Sequence, residues 1–532
     1  MTKGTQRMSP MRFALPYVAM LALLAVHTPA EGDDGLVVVP TAEDDALVFP
    51  PGESAVLTLR TVNRTWDDLR VVAAVRDFRG VPVKDKAGHD QAGQTVVAFG
   101  VRDHYRIETL PGATRARSEA DVKAQTEGPV SIELGVMPEG FHMLDLTLFR
   151  GGEQVSRRSY PLGVFTVPSP GPIEKPALPI GVYAKFMNFR RGQPEVFWKT
   201  YVHAIAHNLR THHINTILAA GRFAEGELEI YNRYGIVGLS RFGHDLDHSG
   251  VIGSFIGDEP KPGPELAELR KKYEALQARI DKIITTCMIG EDMGMTTPQD
   301  PIKLWEHLQP DVRVFRWYGL KKSFYGVLNH VHYKGMLPYT SVLRLAEVSG
   351  DTPWWIVLPS FGGDQHEAYY QNPSPAQIRS MAHLACAYGA DGLVYYLYQT
   401  GLVDPVTLKP RDGKFAALAD VAGKLTAHAD KLAAMKHAGL DVRCPDPVVQ
   451  AVPVQIAGHG LGVYAVNKDP ANNVATRLML WDDVWHWATA RDVFAGRELE
   501  VRRGEDGYLF VPSELAPGEG RLSLTDARVD KE

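Results

Sequence analysis

Residues 178–220 have the sequence LPIGVYAKFMNFRRGQPEVFWKTYVHAIAHNLRTHHINTILAA, and this stretch determines the fold class. It begins with an apolar run at Ile180–Phe186 and ends with a second apolar run at Ile214–Ala220. The residues between these runs repeat at helical spacing on one face: Trp198, Val202, Ile205 and Leu209. This order of strand, helix and strand is typical of a βα unit in a parallel sheet.

The same alternation continues to about Lys436 and supplies eight strand candidates. The six further candidates are Ile236–Arg241, Val251–Gly257, Lys282–Ile289, Val312–Tyr318, Trp354–Pro359 and Gly392–Tyr398. Eight βα units over about 260 residues predict a (β/α)8 barrel. The competing arrangement, a doubly wound open sheet, requires a glycine-rich turn after its first strand, and Met187, Asn188 and Phe189 stand there instead.

The regions on either side of the barrel alternate apolar and polar residues with a period of two, as strands do. We expect an N-terminal β-sandwich over 36–167, followed by a proline-rich linker over 168–177. The barrel, which we expect to be the catalytic domain, covers 178–440, and a small C-terminal β-domain covers 445–530. The sequence thus predicts a multidomain chain with a central TIM barrel between two β-domains.

Composition narrows the class of function. The chain has 532 residues with 57 basic and 63 acidic side chains, so its net charge of −6 gives no electrostatic footprint for nucleic acid. Three cysteines exclude a disulfide-stapled scaffold. No dinucleotide or phosphate-binding motif is present, and we expect neither a cofactor nor a metal.

The first 30 residues have the pattern of a signal peptide. Lys3, Arg7 and Arg12 precede an apolar stretch at Phe13–Val26, and small residues lead to a cleavage site near Ala30. The alternative is a short membrane anchor, but 14 apolar residues are few for a span. We therefore expect a secreted or periplasmic protein with no membrane span in the mature chain.

The fourth strand candidate ends in Phe255-Ile256-Gly257-Asp258-Glu259-Pro260. Barrel enzymes carry their active sites at the carboxyl ends of the strands, where this acidic pair falls. Two adjacent carboxylates in a partly desolvated place raise the pKa of at least one of them, as a general acid requires. The alternative is that Asp258 and Glu259 are solvated residues ahead of the helix that begins near Pro264.

This strand end resembles the Asn-Glu-Pro motif of clan A glycoside hydrolases, in which the Glu is the acid/base and corresponds to Glu259. Its Asp-Glu form more closely resembles glycoside hydrolase family 123 and related secreted proteins, which also carry a β-sandwich before a barrel. The helix and strand from Pro375 to Tyr396 resemble the closing segment of such barrels. The resemblance implies hydrolysis of an oligo- or polysaccharide, with Glu259 as general acid.

The clan's nucleophilic Glu belongs at the end of strand seven, but Trp354–Phe361 contains no carboxylate. The family 123 resemblance implies a substrate-assisted route instead, in which the 2-acetamido oxygen of the sugar is the nucleophile and Asp258 stabilises it. Loop positions for a second carboxylate also stay open, because a two-carboxylate retaining mechanism needs a partner about 5 Å from the first. The candidates are Glu291, Asp364 and Glu367.

Aromatic residues at strand ends are candidates for sugar contacts, since sugars present apolar C–H faces. We select Trp317 and Tyr318 after strand six and Tyr398 on strand eight. The period of two predicts that Tyr396 and Tyr398 share a face and that Tyr395 opposes them. The alternative is that these rings are barrel core.

The loop after the third strand, Arg241–His248, is rich in His and Asp. Arg241 and His244 are its candidates for binding sugar hydroxyls. A loop folded by its own Asx turns is the alternative, and the spacing does not match a calcium loop. For the whole chain, a non-catalytic glycan-binding protein on the same barrel is the alternative to a hydrolase.

Overall fold

The protein was analysed as a computed structural model. It describes residues 36–41, 46–63, 69–76, 91–92, 96–99, 105–108, 113–114, 116–122, 126–184, 195–219, 221–258, 260, 264–289, 301–318, 346, 349–361, 372–399, 401–404 and 408–525.

The N-terminal region consists of mainly antiparallel strands in two main sheets around one apolar core, with β2 parallel to β12. Its strands are β1 Leu36–Thr41, β2 Val48–Phe49, β3 Ser54–Asn63, β4 Leu69–Arg76, β5 Gln91–Ala92, β6 Val96–Phe99, β7 Tyr105–Glu108, β8 Ala113–Thr114, β9 Ala116–Val122, β10 Thr126–Val136, β11 Gly140–Arg150 and β12 Glu153–Val164. The sheets have the orders β1-β3-β10 and β2-β12-β11-β4-β9. Alternate residues such as Leu57, Val71 and Leu144 point into the space between them, which makes this region a β-sandwich.

The central region is a closed barrel of eight parallel strands in sequence order. These are β13 Ile180–Ala184, β14 Thr216–Ala219, β15 Val237–Arg241, β16 Val251–Asp258, β17 Ile283–Ile289, β18 Arg313–Arg316, β19 Trp354–Pro359 and β20 Gly392–Tyr396. Its described helices are α1 Glu195–Thr211, α2 Glu227–Arg233, α3 Pro264–Gln277, α4 Pro301–Leu308, α5 Pro375–Ala387, α6 Lys414–Thr426 and α7 Ala429–Ala433. Each of the eight predicted strands overlaps one barrel strand.

Side chains of the barrel strands alternate between two apolar layers. On β19, Trp355 and Val357 belong to the cluster inside the barrel, whereas Trp354, Ile356 and Leu358 pack against the surrounding helices. This alternation follows from the pleat of a strand, and both faces are apolar because helices cover the outside. The side chain of a residue in a regular barrel strand can therefore be assigned to the inside or the outside of the barrel from its position along the strand.

The C-terminal region is a second β-sandwich, and it packs on the barrel through helix α5. Its strands are β21 Met435–His437, β22 Val442–Arg443, β23 Val449–Ile456, β24 Gly460–Asn467, β25 Val474–Trp481, β26 Ala490–Asp492, β27 Arg497–Leu499, β28 Arg502–Arg503, β29 Tyr508–Leu515 and β30 Gly520–Leu524, with a short helix α8 Asp482–Trp485. The six-stranded sheet β21-β23-β24-β30-β26-β27 contacts α5, where His383 Nδ1 lies 2.9 Å from the Tyr464 hydroxyl. The four-stranded sheet β22-β25-β29-β28 closes the sandwich on its other side.

These three regions confirm the predicted fold class, a TIM barrel flanked by two β-domains. The strand pattern was sufficient because each region repeats one period, two in the sandwiches and a strand–helix unit in the barrel. Among the described residues, no helix is long and apolar enough to span a membrane. The predicted signal peptide at 1–30 lies outside the described residues.

Candidate active site

The carboxyl ends of the eight parallel strands meet at one mouth of the barrel. Several large side chains that face the barrel interior lie at these ends: Tyr183 on β13, Arg241 on β15, Asp258 on β16, Arg316 on β18 and Tyr396 on β20. They are brought together only by closure of the sheet, because they are far apart in the sequence. The mouth therefore combines charged groups with aromatic rings.

Asp258 is paired with Arg241 across neighbouring strands. Its Oδ2 accepts a hydrogen bond from Arg241 Nη2 at 2.8 Å, and the Asp258 side chain is 49% exposed while that of Arg241 is 13% exposed. The other carboxylate oxygen, Oδ1, receives no hydrogen bond from the described residues. One oxygen is thus fixed by a guanidinium, and the side chain that carries both oxygens is about half-exposed.

An irregularity in strand β16 explains why Asp258 points inward. The pairing of β16 with β17 shifts between Phe255 and Gly257, so one extra residue interrupts the alternation. Phe255 lies inside the barrel and Ile256 lies outside. A side chain at Gly257 would also point outward, where its Cβ would come within 2.9 Å of both Thr286 and Leu269. Asp258 therefore returns to the interior.

Tyr183 fixes the far side of the Arg241 guanidinium. Arg241 Nη1 donates to the Tyr183 hydroxyl at 2.5 Å, and the guanidinium carbon lies 5.7 Å from the centre of the Tyr183 ring. The exposed ring of Phe242 covers the same guanidinium at 4.6 Å. A planar cation held by two acceptors and flanked by rings has little freedom to turn, so the position of Asp258 is well defined.

Aromatic rings form the wall of the mouth next to this pair. The Tyr183 and Tyr396 ring centres are 5.0 Å apart, and Tyr396 lies 6.0 Å from Tyr318 and 5.4 Å from Phe361. The guanidinium carbon of Arg316 lies 4.9 Å from the centre of the Tyr318 ring. We name these four rings, Tyr183, Tyr396, Tyr318 and Phe361, the aromatic wall.

A buried lysine supports the strand ends beneath the wall. Lys414, at the start of α6, donates to the Ser360 carbonyl oxygen at 3.0 Å and to Asn372 Oδ1 at 2.8 Å. Ser360 Oγ in turn donates to the Leu397 carbonyl oxygen at 3.0 Å. These bonds connect the end of β19 with the segment after β20, which fixes the backbone that carries Phe361 and Tyr396.

Of the three predicted aromatic contacts, Tyr318 belongs to the buried cluster inside the barrel, next to Tyr396 and Phe361, and the other two lie outside the barrel wall. Trp317 is fully buried in the layer between barrel and helices. Tyr398 is fully buried in the same layer, where its hydroxyl accepts from Asn208 Nδ2 at 2.8 Å and its ring lies 5.8 Å from Phe415. Burial raises the pKa of Tyr398. The expectation that Trp317 and Tyr398 line the mouth was wrong.

The error at Tyr398 came from extending strand β20 too far. The strand ends at Tyr396, which faces inward, and beyond that residue the period of two no longer applies. Tyr395 faces outward as expected and donates from its hydroxyl to the Ile378 carbonyl oxygen at 3.2 Å. Tyr396 and Tyr398 therefore lie on opposite sides of the barrel wall.

The loop after β15 places Arg241 and His244 differently. Arg241 lies at the mouth, but two of its donor atoms contact Asp258 and Tyr183. His244 is exposed, and its ring centre is 6.5 Å from that of Phe242. Asp245 accepts from the Phe223 amide at 3.0 Å, so it stabilises a neighbouring loop. Within the described ranges, no group of three His, Cys, Asp or Glu side chains could hold a metal ion.

The remaining predicted carboxylates, Glu259, Glu291, Asp364 and Glu367, lie outside the described residues. Four mouth residues were not selected from the sequence: Tyr183, Arg316, Phe361 and Tyr396. Each lies at or just after the end of a barrel strand and three are aromatic, so position and residue type were both signals, but the sequence pattern does not show which strand-end rings meet inside the barrel.

Comparison with known proteins finds similarity among solved structures only. No family model and no curated protein matches the chain. A cycloisomaltooligosaccharide glucanotransferase from a Paenibacillus species is 9% identical, with a TM-score of 0.45 over 92% of this chain and 99% of that chain. A family 39 glycoside hydrolase from Bacteroides cellulosilyticus is 12% identical, with a TM-score of 0.39 over 92% of this chain and 100% of that chain.

A bacterial fucosidase is 10% identical, with a TM-score of 0.35 over 66% of this chain and 94% of that chain. These neighbours are enzymes that act on glycans.

Proposed function

We propose that this chain hydrolyses glycosides at the mouth of its barrel, with Asp258 and Glu259 carrying the reaction. The observation that supports this is the pairing of the Asp258 carboxylate with Arg241 next to the aromatic wall. A sugar presents apolar C–H faces together with polar hydroxyl and amide groups, and it needs both kinds of contact. The mouth supplies rings and a fixed carboxylate, which Arg241 connects through its bonds to Tyr183 and Asp258.

The resemblance to family 123 supports a substrate-assisted reaction on a 2-acetamido-2-deoxy sugar. The acetamido carbonyl oxygen attacks the anomeric carbon, the bond from that carbon to the leaving oxygen breaks, and Glu259 transfers its proton to the leaving oxygen. Water then attacks the anomeric carbon, opens the oxazolinium ring and gives a proton back to Glu259. The products are the free sugar and the released alcohol.

Asp258 has the geometry for the stabilising role in this reaction. Its Oδ2 is tied to Arg241, and its Oδ1 is available to accept the acetamido N–H. The oxazolinium ring carries positive charge, and a fixed carboxylate next to it lowers its free energy without any reorganisation during the reaction. No step in this scheme requires a nucleophilic carboxylate on β19.

Arg241 acts in this proposal as a positioning residue rather than a substrate contact. Two of its donor atoms are directed at Asp258 and Tyr183, and its faces lie near two rings. Tyr183 contributes twice, since its hydroxyl holds Arg241 and its ring belongs to the aromatic wall. The two residues hold Asp258 in place through contacts between strands β13, β15 and β16.

The proposal is tested by hydrolysis of paired aryl glycosides, with and without a 2-acetamido group, by the wild-type chain and Glu259→Gln. We expect cleavage of the acetamido substrates only, with a loss of about 10²–10⁴-fold in the variant, the usual contribution of a general acid. Glu268→Gln is the matched control, because Glu268 is an exposed acid on α3 that pairs with Lys271. That control should keep full activity.

Three results would change the proposal. Cleavage of plain glycosides would contradict the substrate-assisted route and direct attention to Glu291, Asp364 or Glu367. Full activity in Glu259→Gln would remove Glu259 as the acid. Binding of glycans at the mouth without cleavage of any of them would favour the non-catalytic alternative. Binding need not show the dependence on a carboxyl pKa that the activity of the enzyme would show.

We further propose that the chain is exported and cleaved near Ala30, on the pattern of its first 30 residues. Expression of the full sequence in a bacterial host and N-terminal sequencing of the protein from the periplasm or medium tests this. A mature chain that begins close to residue 31 supports export. An intact N-terminus with the protein in the cytoplasm contradicts it.

A further inference from the structure

The C-terminal sandwich has one face that is turned away from the barrel. Its six-stranded sheet packs on α5, and the four-stranded sheet β22-β25-β29-β28 lies on the opposite side of the apolar core. Alternate residues of β25, such as Leu478 and Leu480, point into that core. Arg477 and Trp481, which flank these two leucines along the strand, point outward and are exposed.

Aromatic side chains from two strands meet on this outer face. Trp481 is 41% exposed, and its ring centre lies 5.0 Å from that of Tyr508, its register partner on β29. Two residues further along β29, Phe510 lies on the same face under the Arg477 guanidinium, at 4.7 Å. Trp481 is among the few large apolar side chains that the described residues expose, and it contacts the Tyr508 ring.

Two ion pairs lie around these rings in addition to the Arg477 guanidinium. Arg443 lies 5.7 Å from the Tyr508 ring and pairs with Asp441 at 3.1 Å, and Arg502 pairs with Glu500 at 2.8 Å. These side chains are well exposed, so they supply both hydrogen-bond donors and acceptors at the edge of the aromatic surface. We name Trp481, Tyr508, Phe510 and Arg443 the outer aromatic surface.

We propose that the outer aromatic surface binds a neutral glycan chain, at a site separate from the mouth of the barrel. Exposed rings stack on the C–H faces of sugars, and hydroxyl groups need donors and acceptors together, which the two ion pairs provide. Arg443 and Arg502 are each paired with an acid, which argues against a site built for a strongly acidic polymer. The inference does not rest on the proposed hydrolysis, because binding is measured without turnover.

The arrangement of the rings favours a soluble chain over a flat crystalline surface. The planes of Trp481 and Tyr508 are inclined at 79°, so they do not form one flat platform. A flexible chain can place different faces of its sugars against differently oriented rings, whereas a crystalline surface cannot. A bound chain would be retained by this domain while the barrel remains accessible on another side of the molecule.

The test is affinity electrophoresis of the full chain in gels that contain hydroxyethyl cellulose, xylan, soluble starch or glycol chitin, with hyaluronan as the acidic comparison. Variants are made in the Glu259→Gln background so that the polymers stay intact. We expect at least one neutral polymer to retard the protein, and Trp481→Ala to weaken that binding about tenfold or more, as for a buried aromatic anchor. Arg443→Ala should weaken it several-fold.

Val155→Ala is the matched control, since Val155 is a similarly exposed apolar residue on the N-terminal sandwich. It should bind as the parent does, and unchanged melting temperatures for all variants show that they fold. The proposal is overturned if none of the neutral polymers binds, if Trp481→Ala and Arg443→Ala both bind like the control, or if hyaluronan binds most tightly. It is also overturned if sedimentation shows a dimer that Trp481→Ala dissociates, because the face would then belong to a second copy.

Discussion

Two aspartate–arginine pairs in this chain have the same chemistry but different surroundings. In the N-terminal sandwich, Asp145 is 1% exposed and accepts hydrogen bonds from Arg157 at 2.8 Å and from Ser159, and it also pairs with Arg76. At the mouth of the barrel, Asp258 is 49% exposed and only one of its oxygens is bonded within the described residues. Both oxygens of the buried carboxylate are bonded within the sandwich, whereas the exposed carboxylate has one oxygen that no described residue bonds.

This difference separates stability from function. A buried charge that loses its partners leaves other charges uncompensated in a medium of low dielectric, which is costly. An exposed pair contributes little to stability because water and salt screen it. The fold therefore should depend on Asp145, and the activity should depend on Asp258.

The largest effect on stability is expected for Asp145→Asn. The change keeps the shape of the side chain but leaves Arg76 and Arg157 without their described counter-charge inside the sandwich. We expect the free energy of unfolding to fall by about 3–5 kcal/mol, the cost of breaking a buried ion pair. Denaturant titration measures this, and a loss below about 1 kcal/mol would remove the contrast between the two pairs.

A second buried group extends the comparison to a neutral side chain. His383 lies fully buried between the barrel and the C-terminal sandwich, and its desolvation lowers its pKa to about 3, with smaller contributions from Lys424 and Arg379. On acidification the unfolded chain takes up this proton near its ordinary pKa of 6.5, before the folded chain does. Stability from this group is therefore complete above pH 6.5 and is lost as the pH falls toward 3.

We predict that His383→Gln flattens the pH dependence of unfolding in this window. His383 contributes up to about 1.4 kcal/mol per pH unit to the slope of the free energy of unfolding against pH. The difference in the free energy of unfolding between wild type and variant should therefore decrease as the pH falls. Denaturant titrations at several pH values between 4 and 7 provide the comparison. If the free energies of unfolding of the two proteins change in parallel with pH, the pKa of His383 is the same in the folded and unfolded states, which contradicts the prediction.

The role of Arg241 can be separated from substrate binding by kinetics. For Arg241→Lys we expect a loss of about tenfold in kcat with little change in KM, because a lysine cannot hold Asp258 and Tyr183 together as a planar guanidinium does. Tyr183→Phe, which keeps the ring but removes the acceptor, should give a smaller loss of the same kind. A raised KM with unchanged kcat would instead support the substrate contact that the sequence predicted for Arg241.

The smallest effect is expected at a surface pair with the same charges. Asp420 and Lys424 lie one turn apart on α6 at 3.2 Å, and both are well exposed. Asp420→Asn should change the free energy of unfolding by less than about 0.5 kcal/mol and leave activity unchanged. A larger change in the free energy of unfolding, or any loss of activity, would show that the exposure of an ion pair does not predict its role in this chain.

The sequence predicted the fold well and the site in part, for physical reasons. The strands were predictable because apolar runs and helical spacing repeat eight times. Asp258 and Arg241 end barrel strands and Tyr318 follows one, which is why the sequence pattern singled them out, and their roles in a site stay predictions. Tyr398 was misplaced because the end of β20 depends on backbone pairing that side-chain periodicity does not record.

The contacts within the mouth could not be predicted from the pattern. Arg241 reaches Tyr183 across 58 positions in the chain and Asp258 across 17, and both contacts depend on the register of closed strands. The inward direction of Asp258 depends on the irregularity between Phe255 and Gly257. A single sequence shows none of these, since residues that contact one another through the sheet leave no local signal.

The most direct test of the account is Asp258→Asn, measured in parallel for hydrolysis of an aryl 2-acetamido glycoside and for thermal unfolding, with Asp420→Asn as the control. The account predicts a loss of about 10²–10³-fold in kcat, as for removal of a fixed group that stabilises transition-state charge. It also predicts a melting temperature within about 2 °C of wild type, because the pair is exposed. Full activity in Asp258→Asn, or lost activity explained by an unfolded barrel, would contradict the separation of function from stability at this pair.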